Sequence, residues 1–255
     1  MLKNKLLVAA LVSAFSASAM ADDAPAAPAS PFSTNVSLTN NYLYRGISQS
    51  GANPAIQGGF DYAGASGLYI GTWGSSISWL GDAGTPRSGL ELDTYGGYRG
   101  TGGPVSYDVG YLRYNYSGSF NTSLVPKADT NEVYGAVTYS IVTAKVSYSL
   151  GDLFGFVASS GSTYADLSVA YPIADTGYTL GAHYGKQTVA GNNGGVSNSQ
   201  YSYSDYRVSV SKDLGTGYSA SLTVSSTDAN SAAYTILQGI NLGKTAVVAA
   251  LSRTF

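Results

Sequence analysis

Asp166, Ser168 and His183 put a carboxylate, a hydroxyl and the chain's one histidine in neighbouring segments, "TYADLSVAYP" and "GYTLGAHYG". In a Ser-His-Asp site the imidazole takes the hydroxyl proton while the carboxylate holds the ring. The intervening "ADTG" turn is expected to pair Tyr171 with Tyr178, Val169 with Leu180 and Leu167 with Ala182. That register sets His183 opposite Asp166, both side chains inward, with Ser168 one inward position away. Against catalysis, the chain has no G-x-S-x-G elbow, and serine recurs on nearly every polar face. A hydrolase of membrane lipids would also need its triad to face lipid. The spacing favours an internal hydrogen bond between Asp166 and His183, with a role in pH sensitivity because histidine titrates near neutrality. Cysteine is absent and no D-x-D-x-D-G loop occurs, so no metal site is expected. The glycines of "GGV" and "TGG" serve turns, since neither opens a helix that could hold phosphate. No catalytic, cofactor-binding or metal residue is assigned.

The elements that carry these residues repeat with period two. In "NVSLTNNYLYRG" Val36, Leu38, Tyr42 and Tyr44 share one face, with Ser37, Thr39, Asn41 and Arg45 on the other. In "GYSASLTVSS" Tyr218, Ala220, Leu222 and Val224 oppose Ser219, Ser221, Thr223 and Ser225. Such alternation marks strands with one apolar face. The expected strands are 32–46, 54–63, 67–80, 88–100, 104–117, 130–139, 142–151, 163–172, 177–188, 203–214, 218–226 and 244–255. Their connections alternate between long and short, as in bacterial transmembrane barrels with short periplasmic turns and long external loops. The fold class expected is therefore all-β, a transmembrane antiparallel up-and-down β-barrel of about 12 strands with both termini periplasmic. Two further hairpins agree. Ser140-Ile141 pairs Tyr139 with Val142 and Val137 with Ala144; "GTG" pairs Leu214 with Tyr218 and Val210 with Leu222. Facing in the third and fifth strands stays open, because Trp73, Ile77 and Trp79 share a face with Tyr69, and Tyr111 leads to Arg113.

Composition bears on the same reading. Charged residues are 11% of the chain against about 25% in soluble domains, while Tyr numbers 22 and Gly 32. A surface so poor in charge suits lipid when its apolar residues are dispersed along strands. In hydrocarbon an unpaired peptide group costs several kcal/mol, so a sheet can cross only as a closed cylinder. Tyr42, Tyr44, Tyr62, Tyr98, Tyr107, Tyr148, Tyr171, Tyr178 and Tyr218 are expected to form aromatic girdles at the lipid boundary. Residues 1–21 read as a secretory signal peptide, with Lys3 and Lys5, an apolar run and an A-x-A site at Ala19-Met20-Ala21. Residues 22–31 form a Pro/Ala-rich periplasmic linker, and 32–255 the barrel. Without Lys3 and Lys5 the 13 basic residues fall by two, against 15 acidic ones, which gives no reason to expect nucleic acid as a partner.

The segments "NYLYRGISQS", "NPAIQGGFDYA", "LELDTYGGY", "NEVYGAVTYS" and "SDYRVSVSKDL" resemble the TorF family of porin-like proteins from Gram-negative bacteria, over about Asn35 to Phe255. The resemblance implies an outer-membrane barrel forming a pore, and implies no substrate. Eleven charged positions alternate onto the polar face: Arg45, Asp61, Glu91, Asp93, Arg99, Asp108, Glu132, Lys145, Asp166, Asp205 and Arg207. With His183 they are expected to line a lumen, where both signs of charge order water and bias ion passage. Alternatively they pair with one another and plug the interior. The expected function is passive diffusion of small polar solutes or ions. The alternatives are a structural or partner-binding barrel acting through its external loops and, less favoured, a hydrolase. Expected surroundings are outer-membrane lipid and lipopolysaccharide, whose phosphates Arg87 and Arg113 could touch. The loop "DANSAAYTILQGINLG" is expected to continue the last hairpin rather than to fold into the mouth as a constriction. The terminal Phe255 is expected to signal to the barrel assembly machinery and to seal the closing strand against the strand near Phe32, with Arg253 snorkelling to head groups.

Overall fold

The computed structural model describes residues 30–83, 88–118 and 126–255. The signal peptide, most of the linker and Arg87 lie outside the described residues. Twelve strands, β1 Phe32–Thr39, β2 Ala55–Ala63, β3 Leu68–Ser76, β4 Leu90–Gly102, β5 Val105–Tyr116, β6 Thr130–Tyr139, β7 Val142–Ser149, β8 Thr163–Ile173, β9 Tyr178–Thr188, β10 Tyr203–Gly215, β11 Tyr218–Thr227 and β12 Ala246–Thr254, close into one antiparallel barrel. Closure occurs between β1 and β12, where Val36 faces Arg253 and Leu38 faces Leu251. Phe255 extends this seam, its N–H donating to the Thr34 carbonyl at 2.9 Å. No backbone edge is left open, as a β structure in hydrocarbon requires.

Alternation along the strands sorts the side chains. Leu38, Ile56, Ile70, Val109, Val146 and Val208 stand exposed on the outer face. Aromatic rings cluster where strands meet the short turns, among them Phe32, Tyr62, Tyr98, Tyr107, Tyr171, Tyr178 and Tyr218; Tyr148, Tyr184 and Tyr206 ring the opposite end. Arg253 lies on this outer face between the Tyr218 and Phe255 rings, its guanidinium 4.8 and 4.3 Å from their centroids. An apolar band between aromatic girdles is the surface of a membrane-spanning barrel.

The Ser140-Ile141 hairpin has the expected register. The β8–β9 hairpin does not: Ile173 pairs with Tyr178, Tyr171 with Leu180 and Ser168 with His183, two residues from the expected pairing. The strand continues through Pro172 because its nitrogen points to the same side as that of Ala170, which bonds Ile141, and β7 has already turned away there. No ladder bond is lost at the proline. A two-residue shift preserves the faces, so inward residues stay inward. In the β10–β11 hairpin Val210 meets Leu222 as expected, but a bulge at Asp213/Gly215 brings Gly215, not Leu214, opposite Tyr218.

Three segments depart from the expected strands. β1 ends at Thr39, and residues 40–54 turn into the barrel as a small hairpin, Leu43–Tyr44 paired with Ile47–Ser48. Tyr42 is consequently buried and Tyr44 points inward, so neither belongs to a girdle. β3 ends at Ser76, with Tyr69, Trp73 and Ile77 facing inward, and a single helical turn, α1 Trp79–Asp82, follows. The loop before β12 keeps only one bridge, Thr235 with Asn241, and folds over the mouth. There Tyr234, Ile236, Ile240 and Leu242 pack with Ile47, Trp79 and Tyr203, an apolar set that an extended hairpin would leave in water.

Candidate functional site: a constricted lumen

The inward hairpin is shaped by its turn. Arg45 and Gly46 both have positive φ, 46° and 79°, the backbone of a tight two-residue turn. Gly46 lies so close to β10 and β11 that a Cβ there would stand 2.5 Å from Thr227 Cγ2 and 2.7 Å from Asp205 Cβ. Its base is tied by Ser48 Oγ donating to Asn41 Oδ1 at 2.6 Å, and by Ser48 N–H donating to the Leu242 carbonyl at 2.9 Å. The N–H groups of Ser78 and Trp79 both donate to the Gln49 carbonyl. The second and last long loops thus clamp the first.

Held in this way, Arg45 spans the lumen. Its Nη2 meets Glu132 Oε2 on β6 at 2.7 Å and its Nη1 donates to Gln187 Oε1 on β9 at 2.8 Å. The guanidinium lies over the Tyr164 and Tyr44 rings, 4.3 and 4.9 Å from their centroids. Tyr44 reaches β5 through a 2.5 Å contact between its hydroxyl and that of Tyr114. The expected inward position of Arg45 is therefore met from a turn and not from a strand. Tyr44 was expected in a girdle, and Tyr114, Tyr164 and Gln187 were not singled out in the sequence; only the dipeptide Arg45-Gly46 hinted at a turn.

The remaining residues singled out by alternation all occupy inward positions, in three groups. On the wall beside the hairpin, His183 lies between two carboxylates, Nδ1 2.7 Å from Asp166 Oδ2 and Nε2 2.9 Å from Asp205 Oδ1. Tyr164 donates to Asp205 Oδ2 at 2.8 Å and Ser168 to Asp166 Oδ1 at 2.8 Å. Lys145 is the register partner of Asp166, and Arg207 that of His183. Because the register differs by two, Asp166 faces Gly185 and reaches His183 on the diagonal. Ser168 Oγ also lies 3.1 Å from His183 Nδ1, the ring nitrogen that meets Asp166 Oδ2.

Nearer the short turns, Arg99 pairs with Asp108 at 3.0 Å and its guanidinium lies 4.0 Å from the Tyr69 ring centroid. Tyr69 donates to Asp108 at 2.6 Å and contacts the Tyr134 hydroxyl, Tyr95 donates to Asp61 at 2.6 Å, and Lys145 lies 4.1 Å from the Tyr134 ring centroid. On β4, Glu91 and Asp93 are buried, and Glu91 Oε2 and Asp93 Oδ1 have no hydrogen-bond partner among the described residues. Arg113 is on the outer face of β5, where it binds Asp129 at 3.1 Å and Asn131 at 2.9 Å.

The hairpin divides the interior. An outer cavity of about 420 Å³ lies toward the loops, lined by Trp79, Phe154 and Tyr234 and reaching Arg45. Inward of it lie cavities of about 110 Å³, beside Lys145, Asp166 and His183, and about 170 Å³, beside Asn35, Asp93 and Ser252. Tyr44 borders all three.

Among solved structures, the KdgM porin is 8% identical, with 88% of this chain and 98% of that chain covered and a TM-score of 0.51. The NanC porin is 9% identical, with 87% and 98% covered and a TM-score of 0.52. At such identity the likeness is one of fold. No curated protein matches the chain in sequence. The porin-like barrel expected from the TorF resemblance is present, whereas the TorF name itself finds no support in these matches; the matching family, described as bacterial proteins of unknown function, covers residues 23–255. The chain belongs to that family, Gcw_chp.

Proposed function

We propose that the protein is an outer-membrane channel for small polar solutes or ions, narrowed at the Arg45 hairpin. The observation that carries this reading is the arrangement of cavities on both sides of one charged constriction, inside a barrel whose outer face is apolar. Arg45, Glu132 and Gln187 satisfy one another, so the constriction offers a passing solute hydrogen-bonding atoms without a large net charge. Outer-membrane lipid and lipopolysaccharide are its surroundings in this reading, and the barrel assembly machinery its route of insertion. Proteoliposomes carrying the purified protein should swell in small sugars and amino acids and exclude larger oligosaccharides. Liposomes that stay impermeable to every solute, with folded protein inserted, would rule the channel out. The second reading, a binding barrel, draws support from the aromatic outer cavity.

A further inference from the structure

The outer cavity differs in chemistry from the lumen beneath it. Its walls are aromatic: Trp79 meets Tyr116 edge to face at 5.6 Å, Tyr44 meets Phe154 at 5.6 Å, and Tyr203 meets Tyr234 at 5.4 Å. These mutual edge-to-face contacts hold the rings in place, and the Tyr234 hydroxyl is pinned by donation to the Tyr201 carbonyl at 2.7 Å. A wall preset in this way loses little freedom when a ligand arrives. Its volume of about 420 Å³ suits a small organic molecule. The floor is polar but electrically balanced, since Glu132 neutralises Arg45 and Gln187 is bonded to Arg45 and to the Thr163 carbonyl. An anion or cation entering here would lose its hydration with no opposite charge free to receive it. The wall also holds an unmade bond, because the buried Trp79 Nε1–H has no acceptor among the described residues.

We propose that this cavity binds an uncharged aromatic solute, ring against the Trp79, Tyr116, Phe154 and Tyr234 side chains, above the Arg45 constriction. Binding does not require conduction, so this site stands or falls separately from the channel.

Trp73 and Trp79 are the two tryptophans of the chain, and Trp79 alone of the pair lines the cavity. In a Trp73→Phe background, the emission of Trp79 reports on the site. Titration with 4-nitrobenzyl alcohol is expected to quench it saturably. The Ala233→Phe change, which adds a ring to the cavity wall without removing packing, should weaken half-saturation at least about tenfold. The charged analogue 4-nitrobenzoate should also bind about tenfold less well. Calorimetry on the unaltered protein should give the same affinity for the alcohol, which guards against damage by the tryptophan change. The proposal is overturned by non-saturating quenching with no calorimetric binding, by unchanged affinity in Ala233→Phe, or by equal binding of the carboxylate.

Discussion

Arg45 sits where an L-residue is disfavoured, at φ 46°, which costs roughly 1–2 kcal/mol for a side chain that is not glycine. The cost is offset by two charge-assisted bonds, to Glu132 and Gln187. Arg45→Ala leaves Glu132 buried without its ion-pair partner, with only the Tyr114 hydroxyl donating to it, which should destabilise the docked hairpin by about 3–5 kcal/mol. Urea titration of the hairpin's protease resistance measures this, and Arg45→Lys should recover only part of it, because an ammonium lacks the planar fork that meets both partners. Gly46→Ala should likewise displace the turn, since the new methyl collides with Thr227 and Asp205. His183 supports a prediction about charge. Both ring nitrogens face carboxylates, Asp166 and Asp205, with Tyr164, Ser168, Lys145 and Arg207 around them. Loss of the ring's proton as pH rises removes one positive charge from the lumen. Cation preference, read from reversal potentials, should therefore rise with pH in the native protein and stay flat in His183→Ala; an identical pH response in both would contradict the assignment. The Asp166–His183 contact was legible from alternation alone despite a register error of two, because diagonal neighbours on one face remain within reach. The Arg45 turn was hidden because "YLYRGIS" continues the period-two pattern of β1 across it.

At the scale of elements, the strands were legible because each has one apolar face exposed to lipid and one polar face turned inward. Their length limits came out within a few residues wherever a short turn bounds them. The long loops were not legible, because contacts between distant segments decide their paths: Ser48 with Leu242, Gln49 with Ser78 and Trp79, Tyr234 with Tyr203. The final strand makes a separate prediction. Phe255 is 63% exposed, so its ring contributes little packing, yet its backbone completes the seam with Thr34. Deleting Phe255 should reduce the yield of folded, heat-modifiable protein several-fold, while each channel that does form conducts as before. Normal yield with altered conductance would assign the residue to the pore and not to assembly.

For the molecule as a whole, long and short connections alternate between the two ends of the barrel, and an even number of strands brings both ends of the chain to one side. What no local pattern could report was the bore, since that depends on a loop leaving the wall and crossing the interior. The central claim is that this loop sets the channel's width. Thr39 and Ala55 are register partners, so a short Gly-Ser turn can replace residues 40–54 without breaking β1 from β2. Single-channel conductance in planar bilayers compares the two proteins directly. The native protein should give small, discrete steps, and the shortened variant steps several times larger with weaker ion preference. Equal conductance in the two, or a bilayer that both folded proteins leave sealed, would contradict the account.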